Sequence, residues 1–155
     1  MIITHARGTD LADILELERS GFEASEQWSE AAWAEELDSP DRCVLARLDR
    51  DARIIGVATF SCVEEVADLL RVVVHPEVRG HGVGASLVRA GLEWAAAVGA
   101  QRMLLEVRPD NEPAVALYRR LGFEPVTTRR DYYGPDRHAL VMLRGLGGDD
   151  TWAVA

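Results

Sequence analysis

At 155 residues the chain has the length of one domain, enough to bury a substantial core. A formal charge of −9, from 26 acids against 17 arginines and no lysine, argues against a nucleic-acid-binding surface, and no apolar run approaches the ~20 residues of a membrane span. Cys43 and Cys62 are too few for a disulfide framework or a zinc knuckle, and MIITHARGTD has no signal-peptide pattern; both point to a cytoplasmic protein with reduced thiols.

In chain order, Met1–Ala6 reads as an edge strand, and Leu11, Ile14, Leu15 and Leu17 predict a helix over Asp10–Ser20. Ser29 caps a second helix that runs to Leu37, with Trp33 and Leu37 four residues apart. Cys43–Leu48 and Arg53–Val63 have strand composition, with Asp49–Ala52 as the hairpin turn between them. Leu69–Val74, apolar but for Arg71, predicts a strand buried on both faces and stopped by His75-Pro76. Val83, Leu87, Val88, Gly91, Leu92, Ala95 and Val98 make one face of a long helix closed by Gly99. Arg102–Val107 is a short strand. Asn111 caps the next helix, with Pro113 in its first turn and Ala114, Leu117, Tyr118 and Leu121 on one face before Gly122. Phe123–Tyr133 and His138–Arg144 predict a closing antiparallel pair. Residues 145–155 read as a flexible tail beyond a single domain spanning 1–144. The order β-α-α-β-β-β-α-β-α-β-β gives an α/β fold, a mixed and mostly antiparallel sheet with one crossover at its centre and flanking helices.

Charge is uneven. Residues 1–68 hold 16 acids against 6 arginines, a net of −10, while residues 69–155 hold 10 acids against 11 arginines, a net of +1. An acidic first half attracts a basic ligand, although solubility alone also accounts for it. The four histidines, His5, His75, His81 and His138, fall on different elements without metal-ligand spacing, so no metal is expected.

The segment that carries most chemistry is Arg79-Gly80-His81-Gly82-Val83-Gly84, which leads from the buried strand straight into the long helix. Glycines at alternate positions let backbone N–H groups turn inward, and a helix N-terminus adds a partial positive charge of roughly +0.5. Such a turn binds phosphate or pyrophosphate without needing charged side chains. A dinucleotide-binding turn would require G-x-G-x-x-G and a parallel doubly wound sheet, and this chain has neither.

The turn fits the Q/R-x-x-G-x-G/A motif of the GNAT acyl-CoA N-acyltransferases and sits where they place it, between the fourth strand and the central helix. Leu105–Asn111 (LEVRPDN), Ala114–Phe123 (AVALYRRLGF), Arg129–Tyr133 (RRDYY) and the corner Gln27-Trp28-Ser29 extend the likeness to the RimI branch, the ribosomal-protein alanine N-acetyltransferases. Together the chain resembles this family over residues 2–144.

The resemblance implies a GNAT fold whose fourth and fifth strands splay apart to take the pantetheine of acetyl-CoA. It assigns the cofactor to the backbone of Val72, Val73 and Val74 and to the turn amides of Gly80, His81, Gly82, Val83, Gly84 and Ala85. Arg79 and Arg89 become candidates for the 3′-phosphate, and Asn111 and Tyr118 flank the cofactor. It implies Glu106 as general base and Tyr118 as general acid, with a phenol near pKa 10 close to a thiol near 8.5. Trp28, Tyr132 and Tyr133 would line a groove for a protein N-terminus, ribosomal or other, reached by a monomer or weak dimer.

Plainer roles stand beside these. Glu106 could form a salt bridge with Arg108 or Arg71, Tyr118 could be a core aromatic, and Trp28 could staple a loop to the sheet. The acceptor could be a small amine or lysine instead of an α-amine, and a non-catalytic acyl-CoA sensor would keep the same fold.

Overall fold

The computed structural model describes residues 2–147. Its strands are β1 (Ile2–His5), β2 (Arg42–Leu48), β3 (Ile54–Val63), β4 (Val66–Val74), β5 (Arg102–Val107), β6 (Glu124–Gly134) and β7 (Arg137–Gly145). The helices are α1 (Leu11–Gly21), α2 (Glu30–Asp38), α3 (Val83–Ala97) and α4 (Glu112–Arg120). The strands form one seven-stranded sheet in the order β1-β2-β3-β4-β5-β7-β6. Neighbours run antiparallel except β4 and β5, which are parallel because α3 crosses between them.

Local chemistry sets the element ends as the sequence suggests. Ser29 Oγ accepts the Ala32 N–H at 3.1 Å to open α2, and Asn111 Oδ1 accepts the Ala114 N–H at 3.3 Å to open α4. Gly99 (φ +96°) and Gly122 (φ +93°) end α3 and α4 in the left-handed region.

Two apolar layers sandwich the sheet. On one face α3 lays Val83, Leu87, Val88, Leu92 and Ala95 against Leu45, Ala58, Phe60, Leu69 and Met103. On the other, Ile14 and Leu17 of α1 and Trp33 of α2 meet Val44, Val57 and Val73. Among the described residues no helix is long and apolar enough to cross a membrane.

Two expectations need correction. The fourth strand begins three residues early, at Val66, and is not buried on both faces: Leu70 is 38 % exposed and Val72 and Val74 are only partly covered, because β5 leaves β4 before reaching them. The chain is also ordered past 144. Gly145 is buried in β7, and the Leu146 N–H donates to the Gln101 carbonyl at 2.9 Å, so that residue packs onto the core. The rest of the expected flexible tail, residues 148–155, lies outside the described residues.

Gly91 shows how tightly α3 is seated. A Cβ there would stand 2.1 Å from Phe60 Cζ, with two further ring carbons inside 2.7 Å. Inside a helix alanine normally gains up to ~1 kcal/mol over glycine. Here Gly91→Ala is expected to destabilise the fold by about 1–3 kcal/mol, because the phenyl ring is itself fully buried and has nowhere to move. Urea unfolding reads this as a lower midpoint at unchanged slope; a raised midpoint would mean that Phe60 can turn aside.

Candidate active site

The parallel pairing of β4 and β5 runs only from Val66 opposite Arg102 to Leu69 opposite Leu105. At that point β4 bulges: Phe60 of β3 faces Leu69 and Thr59 faces Arg71, leaving Leu70 as the extra residue. A bulge bends its strand. β4 then continues against β3 alone, while β5 follows β7 through Glu106 and Val107. A wedge therefore opens between Val72–Val74 and Glu106–Val107.

The strand edge facing this wedge is the one with free hydrogen-bonding groups. The His75 N–H donates to Ile55 of β3 at 2.9 Å, so alternation turns the backbone groups of Val73 to β3 and those of Val72 and Val74 into the gap. The Val74 carbonyl faces the same way and accepts from Arg79 Nε at 3.3 Å.

At the end of the wedge lies the glycine turn. Gly80 and Gly82 both have φ +81°, and no atom lies within 4 Å of where their Cβ atoms would be, so the turn is strained for other residues and open to a ligand. Gly82 is the N-cap of α3 and supplies no side-chain cap. The first-turn amides of Val83, Gly84 and Ala85 have no partner within the helix. Gly84 serves differently: its φ is ordinary, and its Cα side packs close to Val74 and Leu117. A strand-like chain in the wedge followed by a pyrophosphate at this turn fits the exposed backbone.

Glu106 projects to the opposite face of the sheet, since Met103, Leu105 and Val107 point into the α3 layer. Its Oε1 accepts from Arg129 Nη1 at 2.6 Å, and the Tyr132 hydroxyl also hydrogen-bonds it. That bond and the carboxylate's charge hold Tyr132 above the ordinary phenol range. Arg129 in turn stacks over Tyr132, 4.1 Å from the ring centroid, and Tyr132 meets Tyr133 edge-on at 5.1 Å. The Tyr133 hydroxyl is raised first by burial and then by Glu106 and Tyr132, and Tyr133 in turn raises that of Tyr118. Asp68, raised by burial and then by the charge of Glu106, completes the group from β4. Tyr118 lies edge-on to Phe123 at 6.0 Å, and burial pushes its hydroxyl up to about 12.

Comparison with known proteins fits this geometry. Residues 10–123 match the Acetyltransferase (GNAT) family. The chain belongs to the GNAT acetyltransferases. It is 37 % identical over 141 residues to the N-alpha-acetyltransferase RimI of Mycobacterium tuberculosis, covering 88 % of this chain and 86 % of that one. It is 31 % identical over 106 residues to the ribosomal protein bS18-alanine N-acetyltransferase of Escherichia coli strain K12, covering 68 % and 70 %. The crystal structure of the Escherichia coli ribosomal-protein-S18-alanine N-acetyltransferase superposes with a TM-score of 0.86 over 94 % of both chains at 26 % identity.

The fold of this acetyltransferase fixes the partners of the other expected site residues. Glu106 pairs with neither Arg108 nor Arg71. Arg108 binds Glu26 at 2.7 Å and Asp110 at 2.9 Å, and Arg71 pairs with Glu18. Arg79 spends its guanidinium on the carbonyls of Val74 and Gly21, the latter at 3.0 Å, and so ties the turn to the end of α1. Arg89 lies apart from the turn, in a recess of about 360 Å³ shared with Arg120 and Arg144. His81 is exposed within the turn, and Asn111 spends its side-chain oxygen on the α4 cap.

Trp28 is set by its neighbours. Its N–H donates to Glu18 Oε2 at 2.9 Å and its ring lies 5.1 Å from that of Trp33. It lines a groove of about 740 Å³ with Leu11, Leu15 and Gln27, a groove that includes neither Glu106 nor Tyr118.

Sequence reading missed Arg129 as the partner of Glu106, although RRDYY was noticed as a motif. It also took His138 as isolated. The β6–β7 turn brings His138 to Asp131 and Asp136, with their ligand atoms within 4.8 Å. Two of those atoms are already engaged: the Asp131 N–H donates to His138 Nδ1 at 3.1 Å, and Asp131 Oδ1 accepts the Asp136 N–H at 2.8 Å. The group closes a turn.

Proposed function

We propose that this GNAT acetyltransferase moves the acetyl group of acetyl-CoA to the N-terminal α-amino group of a protein in the cytoplasm, with a ribosomal protein the first acceptor to try. The observation that carries the reading is the end of the β4–β5 pairing at Leu69 and Leu105, with Glu106 the next residue on the acceptor side. The RimI names of the relatives support the choice of an α-amine. So does acidity: an α-ammonium of pKa about 7.7–8.0 is far easier to deprotonate near neutrality than lysine at about 10.4.

Val72, through both its backbone groups, and Val74, through its N–H alone because Arg79 occupies its carbonyl, would hold the pantetheine as an added strand does. The amides of Gly80 through Ala85 would take the pyrophosphate at the α3 N-terminus. The cofactor supplies the acetyl group as an activated thioester. The Val74 N–H points into the wedge, where it can donate to a carbonyl oxygen that gains charge. Glu106 Oε2 takes the proton of the attacking amine, directly or through one water, while Oε1 stays with Arg129.

Burial governs what the Tyr118 hydroxyl can do. With its hydroxyl near 12 and a thiol near 8.5, complete proton transfer to a free thiolate runs uphill by roughly 5 kcal/mol. The hydroxyl therefore stays protonated at any working pH, and its role is to donate a hydrogen bond to the departing sulfur as charge grows there. Tyr132 and Tyr133 form one wall for the acceptor.

The test is thiol release from acetyl-CoA with short peptides, free or blocked at the N-terminus. Turnover is expected to require the free α-amine and to favour basic peptides that start with Ala or Ser, given the acidic first half. Turnover only with small amines moves the acceptor class. Tight cofactor binding without turnover on either set makes the chain a sensor.

A further inference from the structure

Arg129 has so far only held the base. Its Nη1 donates to Glu106 Oε1 at 2.6 Å across β7, and its guanidinium lies 4.1 Å over the Tyr132 ring. The arginines closer in sequence to Glu106 or to the wedge are committed elsewhere, Arg108 to Glu26 and Asp110, and Arg71 to Glu18. Arg129 is thus the cation at the base, and half of its side chain is open to solvent. A guanidinium carries its N–H donors in a planar fork, and Glu106 Oε1 and the Tyr132 hydroxyl do not use them all.

An amine delivered to Glu106 Oε2 stands beside the other oxygen of the same carboxylate, and so beside this guanidinium. In a protein N-terminus the carbon that bears the amine also bears the first peptide carbonyl, which is held close to the nitrogen. In lysine the amine stands at the end of a methylene stem, with no such group near it. We infer that Arg129 is a specificity-determining residue that donates a hydrogen bond to the first peptide carbonyl of the acceptor while Glu106 meets the amine. The inference rests on the acetyl-transfer reading and gives it a means of telling an α-amine from a side-chain amine. A site that hydrogen-bonds one group of its substrate discriminates against the analogue lacking it, because the donor loses its partner. The half-open position of Arg129 limits the effect, since water can take the vacated place.

The test sets two acceptors against two chains. One acceptor is a basic peptide that starts with Ala. The other is the same peptide with an (E)-alkene in place of its first peptide bond, which keeps the amine and the shape and removes the carbonyl. Arg129→Met keeps an unbranched side chain and removes every donor. Its kcat/KM is expected to fall by roughly tenfold more on the carbonyl peptide than on the alkene peptide, the size of one charge-assisted hydrogen bond near solvent. Any change in folding, or in Glu106 itself, weakens both acceptors alike and cancels in this comparison. Equal losses on the two peptides overturn the inference, because Arg129 then serves only to steady Glu106; so does no loss on either, and both results leave acetyl transfer standing. An unmodified chain that acetylates only small amines has no peptide carbonyl to read and overturns it as well. If the unmodified chain acetylates no amine at all, the acetyl-transfer reading falls and the role of Arg129 falls with it.

Discussion

Glu106→Gln is expected to lower kcat on the order of 10²-fold or more while leaving acetyl-CoA affinity within about twofold. The substitution keeps the size and most hydrogen bonds of the side chain: an amide oxygen can still accept from Arg129, and an amide can still meet the Tyr132 hydroxyl. What it removes is a group able to take a proton. The pair with Arg129 is half open to solvent, with side chains 52 % and 29 % exposed, so little stability is at stake and a folded variant is expected. The cofactor is assigned to backbone on β4 and α3, which the substitution does not touch. Calorimetric titration with acetyl-CoA and stopped thiol release therefore separate binding from chemistry. A kcat that does not change would remove Glu106 from the reaction and leave it as a structural partner of Arg129.

The Glu106 pair also shows where the sequence stops being informative. The motif made Glu106 the residue to watch, and the strand around it was legible because an acid in an otherwise apolar run is costly unless solvated or paired. Its partner was not. Arg71 and Arg108 look plausible because they are near in sequence or on a neighbouring strand, but alternation, the bulge at Leu70 and the divergence of β5 send them elsewhere. Arg129 reaches Glu106 because β7 lies between β5 and β6, a sheet order that hydrophobic pattern does not encode. Backbone features fared differently. The glycine turn, the helix caps at Ser29, Asn111 and Gly99, and the strand–helix order were readable because each depends on local conformational preference. Cross-chain charge pairs depend on tertiary geometry and leave no local signature. Glu18 is the clearest case. It follows Leu17 on an amphipathic helix and looks like a solvated polar residue, yet it is 1 % exposed.

That burial makes Arg71→Leu the substitution with the largest expected cost in stability, about 3–5 kcal/mol. Glu18 accepts the Trp28 N–H at 2.9 Å and Trp33 Nε1 at 3.1 Å, and Arg71 supplies the rest: Nε to Oε1 at 3.3 Å and Nη2 to Oε2. The guanidinium is itself held, 3.7 Å over the Phe22 ring and bonded to the Glu26 carbonyl. Leucine would fill much of the space and leave a buried carboxylate facing two neutral donors, so the penalty comes from the stranded charge and not from lost packing. At about 2–4 °C per kcal/mol for a chain of this size, the thermal midpoint should fall by roughly 6–20 °C. In a Glu18→Leu background the same Arg71→Leu change should cost much less, because no carboxylate remains to be stranded, and a double-mutant cycle should show a coupling of a few kcal/mol. Additive costs would mean that Arg71 holds α1 and the Trp28 corner through its packing on Phe22 and its bond to Glu26, with the charge of Glu18 met by the two tryptophan donors alone.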